Sequence, residues 1–450
     1  MKAVIIGAGE VGFNLAKKMS LEGKSVIVIE QDFERWKYAD EALDAKVVLG
    51  SGSDPSVFRE IDLQEDDLVM AVTDRDEVNM VACYIAGRYS ASVVKVARIR
   101  NLEHGKYPEI FGEVGLGIDI CINPEELAAQ AIYKLIQIPG TTEVIDFADG
   151  KVKLIGVRIE ETCPVLGKAL FEFRQANPSD KLLIAAIHRR NDVVIPTGND
   201  RIMLGDTLFI IVQPGDIASV MRLLGRKDKA PKRLMLMGGG YLGFNLARML
   251  EQDGLSIKII EKNQQRCERL SENLGQAMIL LGDGTDQSLL EEESIAEIDM
   301  FVALTSDDEA NILASLQAKQ YGVDKVLTLI NKTNYIPLVS TIGVDIVISP
   351  RLMTVSKILQ FVRKGIVLSV TALRDDIAEA IEFIAVAGSA IVGKPLKRLG
   401  MPKGAIVGAL LRGDAIIIPS GDDEVQIGDR VFIFCLRSVV PSLENLISSR

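Results

Sequence analysis

Short apolar runs alternate with amphipathic stretches along the first part of the chain. Six of these runs predict β-strands, at Ala3–Ile6, Ser25–Ile29, Lys46–Leu49, Leu68–Val72, Val93–Ala97 and Ile118–Ile122. The stretches between most of them predict helices, near Phe13–Met19, Glu34–Leu43 and Val78–Arg88. Nearly continuous apolar strands that alternate with helices are typical of a parallel sheet covered on both faces. The pattern therefore predicts an α/β fold with a doubly wound parallel sheet.

The same pattern is repeated in the second half of the chain. Four residues recur 231 positions later, and the pairs are Gly7 and Gly238, Gly9 and Gly240, Gly12 and Gly243, and Glu30 and Glu261. Two further motifs keep this register within one residue. GSGSD at 50–54 recurs as GDGTD at 282–286, and Thr73 recurs as Thr305. Three motifs in a nearly constant register indicate an internal duplication.

A smaller, strand-rich segment follows each large lobe. Pro-X-Gly turns at 196–198 and 419–421, each near a Gly-Asp turn, are typical of short antiparallel strands. Proline is favoured in the first turn of a helix, so Pro124 and Pro350 predict a crossover helix after each large lobe. The predicted boundaries are 1–123 for the first large lobe, 124–140 for its crossover helix, 141–225 for the first small lobe, 226–232 for a linker, 233–349 for the second large lobe, 350–366 for its crossover helix and 367–450 for the second small lobe.

A glycine motif opens the first helix of each large lobe. GAGEVG at 7–12 and GGGYLG at 238–243 both follow a predicted strand directly. In a GxGxxG turn the first glycine permits the tight turn, the second lets the backbone approach a pyrophosphate, and the third lets helix and strand pack closely. The helix N-terminus then presents free N–H groups to phosphate. We therefore predict two Rossmann-like dinucleotide-binding lobes, each followed by a small α+β C-terminal lobe.

An acidic residue ends the second predicted strand of each large lobe. Glu30 lies 18 residues past Gly12, and Glu261 holds the same place in the repeat. A carboxylate at this position accepts hydrogen bonds from a ribose. Because it also repels a 2′-phosphate, we expect NAD (NAD+ or NADH) or an adenine nucleotide (ATP or ADP) rather than an NADP form.

Polar residues follow the next three strands of the first lobe, and they are Ser51, Ser53, Asp54, Thr73, Asp74, Arg98 and Arg100. Ligands bind at the carboxyl ends of the strands in open parallel sheets, and arginine pairs with phosphate oxygens. Two alternatives stay open. Thr73 and Asp74 are also suited to cap the following helix, and Arg98 could be a surface arginine.

The second lobe differs from the first after its fifth strand. Ile330-Asn331-Lys332 replaces Arg98-Ile99-Arg100, so one positive charge near the expected phosphates is missing. We therefore predict weaker or different nucleotide binding in the second lobe.

Composition excludes several classes of function. The net charge is −11 and no basic stripe is present, so we expect no nucleic acid partner. The five cysteines include no CxxC spacing, which favours reduced thiols in the cytosol over a disulfide framework or a zinc site. No charge-free apolar stretch reaches the length of about 18 residues that a membrane helix needs. With only His104 and His188, the chain offers no catalytic grouping and no metal-ligand cluster, so we predict neither catalytic nor metal-binding residues.

The doubled lobe with its small C-terminal lobes resembles the regulator-of-potassium-conductance family in its tandem form. The segments that carry this resemblance are MKAVIIGAGEVG, VIVIE, AVTDRDEVNM, VARIRN, LMLMGGGYLGFNLAR, IIEKNQQRCERL, LGDGTDQSLLEEE and LTSDDEANILASLQAK. Together with the small lobes they cover nearly the whole chain. The resemblance implies dinucleotide ligands at Gly7, Ala8, Gly9, Glu10, Val11, Glu30, Thr73, Asp74 and Arg98, and at Gly238, Gly239, Gly240, Tyr241, Leu242, Glu261 and Thr305.

The resemblance also implies a function and a partner. It predicts a nucleotide-sensing regulatory subunit, not an enzyme, that gates a membrane potassium-uptake transporter through ligand-dependent rearrangement of a ring. The implied assembly is a homo-oligomer, expected as a tetramer of tandem chains. The implied location is cytoplasmic, peripheral at the inner face of the cell membrane through the partner. Three alternatives stay open at this point: an NAD-dependent oxidoreductase, a scaffold that has lost its ligands, and a regulator of another cation channel or antiporter.

Overall fold

The structure is a computed structural model, and it describes residues 2–100, 108–112, 115–176, 182–190, 192–226, 229–339, 341–362, 367–373 and 377–447. Of the two histidines, His104 lies outside these residues. His188 lies in a strand of the first small lobe, paired on both sides.

The first large lobe is a six-stranded parallel sheet with helices on both faces. Its elements are β1 (Lys2–Ile6), α1 (Glu10–Leu21), β2 (Ser25–Glu30), α2 (Phe33–Ala42), β3 (Lys46–Leu49), α3 (Pro55–Arg59), β4 (Leu68–Ala71), α4 (Asp76–Tyr89), β5 (Val94–Arg98), α5 (Pro108–Phe111) and β6 (Ile120–Ile122). The strand order is β3-β2-β1-β4-β5-β6, with every neighbouring pair parallel. This order is that of a doubly wound dinucleotide-binding sheet, so the predicted α/β fold is confirmed.

The central strands are buried because both of their faces meet helices. Alternate residues of β1 enter opposite cores: Ala3 and Ile5 pack with α1, whereas Val4 and Ile6 pack with α4. This period of two explains why the strand is a continuous apolar run in the sequence.

A crossover helix and the first small lobe follow. Their elements are α6 (Pro124–Gln137), β7 (Glu143–Phe147), β8 (Val152–Arg158), α7 (Leu170–Ala176), β9 (Leu182–Arg189), β10 (Asp192–Val194), β11 (Thr207–Val212) and α8 (Ile217–Leu223). The five strands form an antiparallel sheet in the order β10-β9-β11-β8-β7, and helices accompany it. The predicted α+β character is therefore confirmed.

The second half repeats this architecture. Its elements are β12 (Arg233–Met237), α9 (Tyr241–Glu251), β13 (Ser256–Glu261), α10 (Gln264–Asn273), β14 (Met278–Leu281), α11 (Gln287–Glu292), β15 (Met300–Ala303), α12 (Asp308–Gln320), β16 (Lys325–Leu329), α13 (Ile336–Val339), β17 (Ile346–Ile348), α14 (Pro350–Val362), β18 (Val367–Leu373), β19 (Ala378–Ile384), β20 (Ala405–Arg412), β21 (Ala415–Ile417), β22 (Arg430–Leu436) and α15 (Val440–Ile447). The large sheet has the order β14-β13-β12-β15-β16-β17 and the small one β18-β19-β22-β20-β21.

The two compact units of the structure do not coincide with the two halves of the chain. One compact unit combines Met1–Gln130 with Leu234–Val362, and the other combines Ala131–Arg233 with Arg363–Arg450. Each unit therefore contains matching lobes from both halves.

Within the first unit, helix α14 of the second half packs on the first large lobe. Val355, Ile358 and Leu359 are buried in one core with Leu15 and Met19 of α1. The helix therefore crosses to the other lobe of the repeat, and its N-terminal end lies beside the first glycine loop.

Within the second unit, the two small lobes share an aromatic core. The ring of Phe147 lies 5.6 Å from that of Phe432 and 6.0 Å from that of Phe434, both edge-on. An ion pair between Lys151 and Asp414, 2.6 Å long, also joins the two lobes.

Candidate nucleotide-binding site

Two of the three glycines in the first loop are required by the fold itself. Gly7 has a φ of +99°, which side chains rarely adopt, and a Cβ there would lie 3.1 Å from Thr73 Cγ2. A Cβ on Gly12 would lie closer to the carbonyl oxygen of Gly7 than the 3.0 Å that real Cβ atoms keep. Gly7 therefore makes the turn, and Gly12 lets α1 approach β1.

The middle glycine has no such structural reason. Gly9 is the N-cap of α1 with a φ of −66° and a ψ of −179°, which any residue adopts. A Cβ at Gly9 would have no atom of the described residues within 4 Å. Gly240 is equally open in the second loop, with a φ of −68°. Glycine at these two places leaves room for another group to reach the helix N-terminus, and this cradle fits a pyrophosphate.

Glu30 ties the first loop to the end of β2. Its Oε2 accepts a hydrogen bond from the Ala8 N–H at 2.6 Å, and its Oε1 accepts one from the Asp32 N–H at 2.8 Å. The residue is only 5% exposed. A carboxylate has about four acceptor positions, so these two bonds leave capacity for ribose hydroxyls. Glu261 makes the matching bonds to the N–H groups of Gly239 and Asn263.

Asn79 joins the ends of β4 and β5, and sequence reasoning assigned it no role. Its Oδ1 accepts from the Thr73 N–H and Oγ–H at 2.9 and 2.7 Å, and its Nδ2 donates to the carbonyls of Thr73 and Arg98 at 3.2 and 2.8 Å. Asn311 makes the same four bonds, to Thr305 and Leu329, in the second lobe. Recurrence of the asparagine in the repeat was the signal that could have identified it.

The capping interpretation of Thr73 and Asp74 is wrong. The N-cap of α4 is Arg75, and its own side chain makes no capping hydrogen bond. The Thr73 hydroxyl accepts a hydrogen bond from the Arg75 N–H at 3.2 Å, but neither Thr73 nor Asp74 is the N-cap. Thr73 instead bonds to Asn79 and lies against Gly7, which places it directly under the glycine loop. Asp74 is exposed beside it.

Arg98 is half-buried at the end of β5, so the surface-arginine interpretation is also wrong. Its Nη1 donates to the Thr73 carbonyl at 3.3 Å, and its buried Nε has no hydrogen-bond partner among the described residues. Burial, and next the neighbouring Arg100, lower the pKa of Arg98 to about 10. The group is still a cation at neutral pH, but it lies where its charge is poorly solvated. An anionic ligand would relieve that cost.

These contacts form a continuous line along the carboxyl edge of the sheet. It runs from Glu30 through Ala8, Gly7 and Thr73 to Arg98. Ser53 lies outside this line: it is exposed and bonds to the hydroxyl of Ser51 at 2.9 Å.

The second lobe keeps the framework but changes the charges. The sheet register and the asparagine bonds place Leu329 at the position of Arg98, and Ile330 is buried in the apolar core as Ile99 is in the first lobe. The alignment of Ile330 with Arg98 in the sequence is therefore off by one residue, but the arginine is still missing, because Leu329 is an apolar residue that is 5% exposed. Lys332 donates to Glu309 at 2.6 Å, and this bond holds the pKa of Glu309 at about 2. The one remaining cation at the end of β16 is therefore already paired. The exposed Tyr241 replaces Glu10 at the start of the helix.

Replacing Asn79 with alanine is expected to lower both the stability of the first lobe and its affinity for nucleotide. The substitution removes the side-chain partner of the part-buried Thr73 N–H and Arg98 C=O, each at a cost of about 1–3 kcal/mol, whereas the Thr73 C=O keeps its bond from Arg98 Nη1. We expect a loss of about 3 kcal/mol, measured by denaturant unfolding with the fluorescence of Trp36, the single tryptophan. Asn311→Ala makes the same change in the second lobe, so it is the matched control and should leave nucleotide binding to the first lobe unchanged. Unchanged stability in Asn79→Ala would contradict the assigned role.

Comparison with known proteins places the chain in a family. The TrkA-N domain matches residues 3–124 and 234–350, and the TrkA-C domain matches residues 154–225 and 367–448. The Trk system potassium uptake protein TrkA of Halomonas elongata is 38% identical over 439 residues, 97% of this chain and 96% of the relative. The chain belongs to the TrkA family. TrkA of Vibrio alginolyticus is 37% identical over 451 residues, 99% of this chain and 98% of that relative.

A solved structure supports the fold. The structure described as the GsuK channel bound to NAD aligns with a TM-score of 0.62 at 17% identity, over 100% of this chain and 79% of that one. Both TrkA relatives are named as Trk system potassium uptake proteins. None of the described helices is long and apolar enough to cross a membrane.

Proposed function

We propose that this member of the TrkA family is a nucleotide-sensing regulatory subunit of a potassium-uptake transporter, and that its first large lobe holds the principal nucleotide site. The observation that carries the proposal is the open space at Gly9, on the same carboxyl edge of the sheet as the half-buried Arg98, whose Nε has no partner among the described residues. The family supplies the potassium transport context, since its named relatives are uptake proteins.

The proposed ligand is NAD+ or NADH, with ATP or ADP at the same site. Phosphates would bind the loop of Gly7, Ala8, Gly9, Glu10 and Val11 at the N-terminus of α1. Glu30 would accept the ribose hydroxyls, and Arg98 would pair with phosphate oxygens, with Thr73 and Asp74 along the edge. Ser53, which lies outside this line of contacts, would be a peripheral ligand. The second site would use Gly238, Gly239, Gly240, Tyr241, Leu242, Glu261 and Thr305, and its affinity would be lower because Leu329 replaces the arginine.

Transport would be controlled because the nucleotide binds one shape of the assembly more tightly than another. The chain would assemble as a homo-oligomer, a tetramer of tandem chains forming a ring on the cytoplasmic side of its membrane partner. A nucleotide that prefers one shape of the ring shifts the population toward that shape, and the shape biases the pore. A coupling of about 1–3 kcal/mol changes transport about 5- to 150-fold.

Potassium flux in vesicles that carry the cognate transporter tests this proposal. We expect that adding the chain makes the flux depend on NAD+, NADH, ATP or ADP, with a change of at least about fivefold for one of them. Gly9→Asp protein should bind the transporter but confer no nucleotide response at the first site. A flux that is the same with and without every nucleotide would refute the regulatory proposal.

A further inference from the structure

An arginine of the second half reaches the first glycine loop. Arg351 is the second residue of α14, and its Nη1 lies 3.7 Å from Oε1 of Glu10, the first residue of α1. The position is fixed by packing, because Val355 and Ile358 of the same helix are buried against α1. The contact therefore comes from the way in which the repeat exchanges its crossover helix.

Arg351 lies near two other arginines, Arg98 and Arg100. It lies close enough to Arg98 to contribute, after burial and Arg100, to the lowered pKa of that residue. Arg100 has Glu125 at 3.4 Å, and Arg351 has Glu10 at 3.7 Å. Among the described residues no carboxylate lies within 4.0 Å of Arg98. Arg98 therefore has no direct carboxylate partner among the described residues, although Glu125 and Asp76 act on its charge from a greater distance.

We propose that Arg351 is a phosphate ligand of the first nucleotide site, supplied by the second half of the same chain. This inference rests on the proposed nucleotide binding. The side chains of Arg351 and Glu10 are 33% and 46% exposed, and ion pairs between exposed groups contribute little. Arginine–phosphate bonds are shorter and stronger, so a phosphate at the N-terminus of α1 displaces Glu10 as the partner of Arg351.

The repeat does not offer the second lobe the same group. Arg351 follows Pro350, and the residue that follows Pro124 in the first half is Glu125. An acidic residue at this position cannot bind phosphate directly. Arg351 thus adds to the asymmetry that Arg98 and Leu329 already create. A phosphate bound in the first lobe would therefore contact both α1 of the first half and α14 of the second half.

Titration with ADP tests the inference in a Gly240→Asp background, in which only the first site remains. We expect Arg351→Ala to raise the Kd for ADP about tenfold or more, the change expected for loss of one charge-assisted hydrogen bond. Glu10→Gln should lower the Kd, because it removes a competing negative charge. Arg88→Ala is the charge-matched control. It lies in the last turn of α4, about 18 Å along the helix from the end beside the site, and should leave the Kd unchanged.

The melting temperature measured without nucleotide distinguishes two roles of Arg351, binding of phosphate and stabilisation of α14. Ile358→Ala removes buried packing in that helix and should lower this temperature, whereas Arg351→Ala should leave it unchanged. If the background protein binds ADP and Arg351→Ala binds it equally well, the inference is overturned and the proposed function stands. If Arg351→Ala loses stability and affinity together, as Ile358→Ala does, the arginine only holds the helix and the inference is also overturned. If the background protein binds no ADP, first-site binding itself fails.

Discussion

Gly9→Asp is expected to lower the affinity of the first lobe for NAD+ and ADP at least about 100-fold, without destabilising the protein. Gly9 is the N-cap of α1, and no described atom lies within 4 Å of a Cβ added there. Aspartate is a preferred N-cap residue, so its carboxylate takes the N–H groups that a phosphate would use. Its negative charge also repels the phosphate. Calorimetric titration and thermal unfolding of the same protein measure the two effects.

The repeat provides the matched control for this result. Gly240 has the same open surroundings and nearly the same backbone angles, so Gly240→Asp makes the same change in the second lobe. We expect Gly240→Asp to leave the tight binding to the first lobe intact. The second lobe has no arginine at the position of Arg98, so it is not the tight site. Gly9→Asn keeps the capping group without the charge and should cost less affinity than Gly9→Asp. Equal losses in Gly9→Asp and Gly240→Asp would contradict the assigned asymmetry between the lobes.

Gly12→Ala is expected to destabilise the first lobe by about 3 kcal/mol, although alanine is the better helix former. A Cβ at this position would overlap the carbonyl oxygen of Gly7, and a backbone atom cannot move aside as the end of a flexible side chain can. Forced overpacking typically costs about 1–3 kcal/mol, which exceeds the gain in helix propensity of about 0.5–1 kcal/mol. Denaturant unfolding followed by Trp36 measures the change, since Trp36 lies in α2 of this lobe.

Gly9→Ala is the control, because the same chemical change at an open position should leave stability within about 0.5 kcal/mol of wild type. The two variants thus separate a glycine that the fold requires from one that the ligand requires. A Gly12→Ala protein as stable as the wild type would mean that α1 and β1 do not approach as closely as the structure shows.

The strands and glycine loops could be predicted from the sequence because their determinants are local. An apolar run bounded by turn residues specifies a strand, as the confirmed bounds of β3 at Lys46–Leu49 illustrate. The loss of the arginine in the second lobe was also visible, since aligned motifs of a duplication can be compared position by position. The alignment itself was wrong by one residue at this strand, because Leu329 takes the position of Arg98 and Ile330 that of Ile99.

The contacts that complete the edge of the sheet could not be predicted in this way. Asn79 bridges β4 and β5 through side-chain bonds whose partners are 6 and 19 residues away. Arg351 reaches Glu10 only because α14 packs on the other lobe of the repeat. Hydrophobic periodicity identifies α14 as a helix, but it does not say which of two similar lobes buries its apolar face.

Calorimetric titration of the purified chain with NAD+ tests the central claim most directly, with Gly9→Asp protein titrated alongside. The account predicts saturable binding with one tight site per chain in the wild type and loss of that site in Gly9→Asp. Absence of binding by the wild type, or equally tight binding by the Gly9→Asp protein, would contradict the assignment of the first lobe as the nucleotide sensor.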